Sequence, residues 1–309
     1  MHTECARAMV GPQYGSRNFE ERILSDRSSP TSRRRRLGLE LRRLREGARL
    51  TGDDVAKQLG WSVSKVSRIE KARAAVPWSD ISDLLDIYDV DDETRAALIQ
   101  LCKDAKQQAW WQPYNDVLAS FRNLASYIDL ESAASSLRVY TPLTIPGLLQ
   151  TEDYARAITT TAGPLELADE EIERRVELRM QRQVIIATEP PLRLWVILDE
   201  AALHRHVGNL DIMRGQLQQL ARVARRPEIT LQVIPYDAGA HVAMAGAFSI
   251  FSFSDDPDML YVETVTGTLY LDREADISAS TLYFDHLRAK AHTAINSVNL
   301  INEVARSYE

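Results

Sequence analysis

Cysteine is scarce in this chain of 309 residues: there are two, Cys5 and Cys102, far apart in sequence. That excludes a disulfide framework or a thiolate metal cluster as the device that holds the fold together. Long apolar runs are missing as well. No segment approaches the ~20 apolar residues a membrane-crossing helix needs, and the first thirty residues lack the apolar stretch of a secretory signal. The expected setting is the cytoplasm, with no membrane partner. Also missing are a G-x-S-x-G elbow, a Walker phosphate loop and a dinucleotide fingerprint after a strand. No enzyme activity and no cofactor are therefore expected. There is no internal repeat and no low-complexity segment.

What the chain does have is an uneven charge. The net charge of −7 argues against a nucleic-acid partner when taken as a single number. Residues 1–75, however, hold 17 Lys and Arg against 9 Asp and Glu, a surplus of eight, which leaves the remainder with a deficit of fifteen. Charges beyond a Debye length of about 8 Å are largely screened, so the local surplus is what a phosphate backbone would meet. A basic module joined to an acidic body is the pattern. The length also suits two domains, because single cores rarely grow beyond about 250 residues.

Residues 1–32 show no helical period and read as a tail, or as sequence upstream of the natural start. Arg33, Arg34, Arg35 and Arg36 follow, either as a solvated helix start or as an arm for phosphate or the minor groove. Residues 33–112 then read as five short helices. Leu37, Leu41, Leu44 and Ala48 share one face of the first. Thr51 caps the second, with Asp54 three residues on and Gly60 ending it. Ser62 caps the third, Pro77 opens the fourth, and Asp91 starts a fifth that runs to about Trp110. Residues 113–309 have another texture. Strand-like runs at 192–198, 229–234, 247–253, 259–264 and 268–271 alternate with helical segments at about 168–186 and 211–225, and two helices close the chain over about 277–305. The expected fold class is α+β overall: an all-α bundle followed by a mixed α/β domain.

The segment Leu50–Lys71, LTGDDVAKQLGWSVSKVSRIEK, meets four geometric demands at once. Two helices joined by a tight turn can project the second into a major groove. Ala56 must be small where the helices approach, and Gly60 suits the left-handed turn. Val66 must be apolar to plug the angle between the helices, and Ile69 continues that buried face. On the other face, Lys65 and Arg68 can donate to guanine O6 and N7, Ser64 and Ser67 can serve base or phosphate, and Val63 can touch a thymine methyl. Lys71 and Arg73, at the far end, suit phosphate.

Residues 37–90, through LRRLREGARLT, DVAKQLGWS and SKVSRIEKA, resemble the lambda-repressor-like, XRE-type helix-turn-helix family. The resemblance implies a five-helix module that binds double-stranded DNA through the major groove, as a homodimer on an inverted-repeat operator. In that family a glutamine often follows the threonine and contacts phosphate. Here Gly52 follows Thr51, so only backbone N–H groups remain for that contact. Further on, IPGLLQTEDYARA, ERRVELRMQRQ, LWVILDEAALHRHVGN and LQVIPYDAGAH resemble the domain of uncharacterised function that follows the helix-turn-helix in an actinobacterial, streptomycete-type regulator family. This resemblance implies a transcriptional regulator, a repressor or autoregulator associated with the nucleoid. A small partner protein or a ligand would bind its C-terminal domain, or the chain would serve as an antitoxin-like binder of a neighbouring-gene product.

Other constellations point less far. His204 and His206 are two apart, which in a helix sends them to different faces, unlike the four-residue spacing of a zinc-binding helix. No metal is expected. Asp199 and Glu200 suit the start of a helix. Trp110 and Trp111 are expected at a seam between domains or in a dimer contact. The apolar run AFSIFSF is expected to present a sheet edge that an added strand could cover.

Overall fold

The structure, a computed structural model, describes residues 30–72, 76–105, 109–119, 124–162, 167–254, 256–264 and 267–308. Cys5, Arg73 and residues 1–29 of the expected tail lie outside them. The first helix, α1 (Pro30–Gly47), starts before Leu37, so residues 30–32 belong to it and the four arginines lie in its first and second turns. They form no arm: Arg36 is buried, the Arg33 guanidinium donates to the Asp104 carbonyl at 3.2 Å, and Arg35 lies 5.5 Å over the Phe253 ring. Ala48 falls beyond the end of α1 and is exposed.

Four more helices complete the N-terminal bundle: α2 (Gly52–Leu59), α3 (Val63–Glu70), α4 (Trp78–Ile87) and α5 (Asp92–Asp104). Their starts are written in their caps. The Thr51 side chain accepts from the Asp54 N–H while the Asp54 carboxylate accepts from the Thr51 N–H, a reciprocal capping box. Ser62 and Asp91 accept from Lys65 and Thr94 N–H groups in the same way. Leu37, Leu41, Val55, Val66, Ile69, Ile81, Leu84, Leu85 and Leu98 share one core. The fifth helix ends at Asp104, short of Trp110. Cys102 is buried in this core.

Short helices α6 (Asn115–Ala119) and α7 (Leu124–Ala133) lead into a six-stranded sheet. Its strands are β1 (Ser136–Thr141), β2 (Arg193–Asp199), β3 (Ile229–Ile234), β4 (Phe248–Ser252), β5 (Met259–Thr264) and β6 (Gly267–Leu271). The spatial order is β3-β2-β1-β4-β5-β6. β1, β2 and β3 run parallel, and β4, β5 and β6 are antiparallel to their neighbours. The helices are α8 (Glu152–Ala162), α9 (Asp169–Arg182), α10 (Ala201–His204), α11 (Leu210–Val223), α12 (Glu274–Lys290) and α13 (Ala294–Arg306).

Both faces of the sheet are covered. Leu194, Val196 and Leu198 of β2 pack with Leu217, Leu220, Ile301 and Val304 on one side, and Ile197 packs with Phe284 and Leu287 on the other. Strands buried on two sides need apolar residues at successive positions, which is why β2 reads as an unbroken run over 194–198, whereas β3 alternates, with Thr230 and Gln232 between its apolar residues. β4 is paired with β1 and β5, so the AFSIFSF segment is interior and offers no edge, contrary to expectation. The outer strands are β3, whose Val233 N–H and carbonyl are taken by Ser297 and His292, and β6.

Candidate nucleic-acid interface

The turn between α2 and α3 is built as its sequence requires. Val55 and Ala56 are buried where the two helices meet. Gly60 sits at φ +66° and donates to the Ala56 and Lys57 carbonyls, which closes α2 in a left-handed cap. Val66 and Ile69 bury the inner face of α3. Its outer face carries Ser62, Val63, Ser64 and Arg68, all exposed, with Ser67 half-buried beside them and Lys71 exposed just past the helix end. Thr51 and Gly52 open α2, one turn-helix unit away.

Two of these groups are placed less freely than the residue types suggest. Lys65 Nζ lies 2.8 Å from Asp80 Oδ2 and 3.5 Å above the Trp61 ring. It is committed to its own bundle, whereas Arg68 leaves the helix exposed with Nε donating to the Ser64 carbonyl at 3.4 Å. The start of α2 carries Asp53 and Asp54 in its first turn. The Asp54 carboxyl is held below the usual carboxylate range by hydrogen bonds from the Thr51 hydroxyl and N–H, so it is charged at neutral pH. A phosphate at the Gly52 N–H would meet those carboxylates, which makes this a poor phosphate seat despite the helix dipole.

Behind α3 lies a brace that residue-type reasoning missed. Arg45 of α1 donates from Nε to Glu70 Oε1 at 2.6 Å, from Nη2 to Glu70 Oε2 at 3.0 Å and from Nη1 to the Leu50 carbonyl at 2.8 Å. The two side chains are 13% and 10% exposed, so this forked pair is well shielded. The hydrogen bond that Arg45 donates to the Glu70 carboxylate holds the Arg45 pKa above its ordinary value. Beside it Gly38 lets α1 touch the end of α3: a Cβ there would lie 2.5 Å from the Glu70 carbonyl oxygen and 2.9 Å from that of Ile69. Arg45 and Glu70 are 25 residues apart, and no spacing rule connects them.

Residues 36–98 match the family described as Helix-turn-helix domain, which supports DNA binding. Residues 124–303, more than half of the chain, match the family described as Domain of unknown function (DUF5753). The chain belongs to that family. No curated protein and no solved structure matches the chain.

Within the DUF5753 region the expected decoys are scattered. His204 stacks on Tyr236, His206 lies by Tyr308, and His241 faces Asp199 at 3.5 Å and the Tyr140 hydroxyl at 3.4 Å. Among the described residues no group of three His, Cys, Asp or Glu side chains could hold a metal, and no helix is long and apolar enough to cross a membrane. Asp199 accepts from the Ala201 N–H at the start of the four-residue α10. Trp111 Nε1 donates to Asp129 of α7 at 2.8 Å and packs with Tyr114, Val117, Leu118 and Ile128, while Trp110 is 42% exposed.

Proposed function

We propose that this chain is a sequence-specific transcriptional regulator, a repressor or autoregulator, that reads an inverted-repeat operator through α3. The observation that carries this reading is the outer face of α3. Val63, Ser64 and Arg68 stand exposed on a helix whose inner face is buried by Val66 and Ile69 and whose end is braced by Arg45. Those side chains supply an apolar contact, a hydroxyl and a guanidinium, which together can discriminate base edges in the major groove. A single module of this kind covers only about 600–1,000 Å², so the functional unit is a homodimer. The DUF5753 domain serves as the control element, taking a small partner protein or a ligand and performing no chemistry of its own.

Selection from a pool of random duplexes by the full-length chain tests this reading. The expected result is enrichment of one inverted repeat whose affinity falls steeply with salt, with a log–log slope of about −0.9 per neutralised phosphate. Recovery of unselected sequence, or affinity that ignores salt, would overturn it.

A further inference from the structure

The sheet changes direction at β1. From β1 the chain winds outward through β2 and β3 on one side, then crosses back to β4, β5 and β6 on the other. In open α/β sheets the crevice beyond the carboxyl ends of the strands at such a point is where ligands bind. A cavity of about 370 Å³ lies there, lined by Val139, Tyr140 and Thr141 at the end of β1 and by Ala247, Phe248 and Ser249 at the start of β4. That volume is in the range of small-molecule sites, about 300–1,000 Å³.

The rest of its wall is charged in an uneven way. Helix α9 contributes Arg175, Arg179 and Arg182, spaced so that one face carries all three. Arg175 Nη2 donates to Glu171 at 2.6 Å, and Arg182 makes a forked pair with Glu131 at 2.6 and 3.1 Å. Arg179 differs: its Nη1 donates to the neutral Gln150 side chain at 2.9 Å, and among the described residues no carboxylate oxygen lies within 4 Å of it. Burial and its two guanidinium neighbours pull its pKa down to about 10, so it still carries a full charge near neutrality. A desolvated cation without a counter-ion is unfavourable until an anion arrives. The Thr159 hydroxyl is buried in the same lining and has no hydrogen-bond partner among the described residues. Glu263 also reaches the lining, but it is exposed and engaged by the Tyr261 hydroxyl. Aromatic and aliphatic side chains, Tyr127, Phe248 and Leu178, complete the cavity.

We propose that this cavity binds a small organic anion, an oxyanion carried on an apolar body, with the anionic end paired to Arg179 and hydrogen-bonded by Thr159. The assignment refines the ligand arm of the proposed regulation, and its test uses no DNA, so either can fail alone.

Fluorescence titration of the full-length chain with 8-anilinonaphthalene-1-sulfonate, against the uncharged N-phenyl-1-naphthylamine, provides that test. The sulfonate is expected to saturate one site and to bind at least tenfold more tightly than the neutral probe. Arg179→Met should weaken the sulfonate on the order of tenfold, the scale of one charged hydrogen bond, and leave the neutral probe unchanged. Thr159→Val, which keeps the side-chain shape, should weaken the sulfonate severalfold and covers the case in which Arg179→Met does not fold. Benzoate displacing the sulfonate ahead of phenyl phosphate assigns a carboxylate ligand, and the reverse order a phosphate. Equal binding of the two probes, unchanged sulfonate affinity in both variants, or displacement by neither competitor would overturn the proposal.

Discussion

Arg68 leaves α3 exposed, whereas Lys65, three residues earlier, is folded against Trp61 and Asp80. The difference matters for DNA because Lys65 must break a 2.8 Å ion pair before it can reach a base or phosphate. Arg68→Ala is expected to weaken operator binding by about 1–3 kcal/mol, the scale of one bidentate base contact. Lys65→Ala is expected to cost less, and Asp80→Asn to strengthen binding by releasing the lysine and removing a negative charge. Fluorescence anisotropy at one salt concentration checks all three; a Lys65→Ala loss as large as that of Arg68→Ala would refute the ranking. The exposed face itself was legible from residue types and their offset from Val66 and Ile69. What residue types could not reveal was which cation is already engaged, because Asp80 reaches Lys65 from another helix.

At the scale of elements, the caps carried most of the legible information. Thr51, Gly60, Ser62 and Asp91 mark helix ends by local hydrogen bonding, and those boundaries stand in the structure. Strand β2 was legible as a continuous apolar run and β3 as an alternating one. β1 was not, although it is central: Arg138 interrupts its apolar pattern, and that side chain lies 5.9 Å over Phe284 with Asp258 at 3.5 Å. Helices α7 and α8 were missed too, and the placement of AFSIFSF inside the sheet depends on pairing, which a single segment does not encode. The crossing of α1 behind α3 is likewise invisible locally, yet it turns on Gly38. Gly38→Ala is expected to destabilise the bundle by about 1–3 kcal/mol, because its Cβ would meet two backbone carbonyls that cannot swing aside. Gly47→Ala, where a Cβ meets open space, should leave stability unchanged or slightly raised. Urea denaturation of both variants reads the difference, and a Gly38→Ala variant as stable as the parent would contradict this account of the crossing.

At the scale of the whole molecule, the two regions touch through α1. That helix packs against α7, and Arg35 reaches Phe253 and the Pro257 carbonyl. The same α1 holds the end of α3 through Arg45, and α7 supplies Leu124 and Tyr127 to the cavity wall. One helix therefore joins the wall of the candidate ligand site to the end of α3. The basic surplus visible in the sequence lies on α1 to α3, while α4 and α5 of the same bundle are net acidic. The central claim, that α3 lies in a major groove, is tested most directly by methylation interference on a selected operator. Guanine N7 lies in the major groove and adenine N3 in the minor groove. The expected result is interference at guanine N7 in two clusters about 34–36 Å apart, with one position in each cluster losing its effect in Arg68→Ala. Interference confined to adenine N3, or an identical pattern in Arg68→Ala, would contradict it.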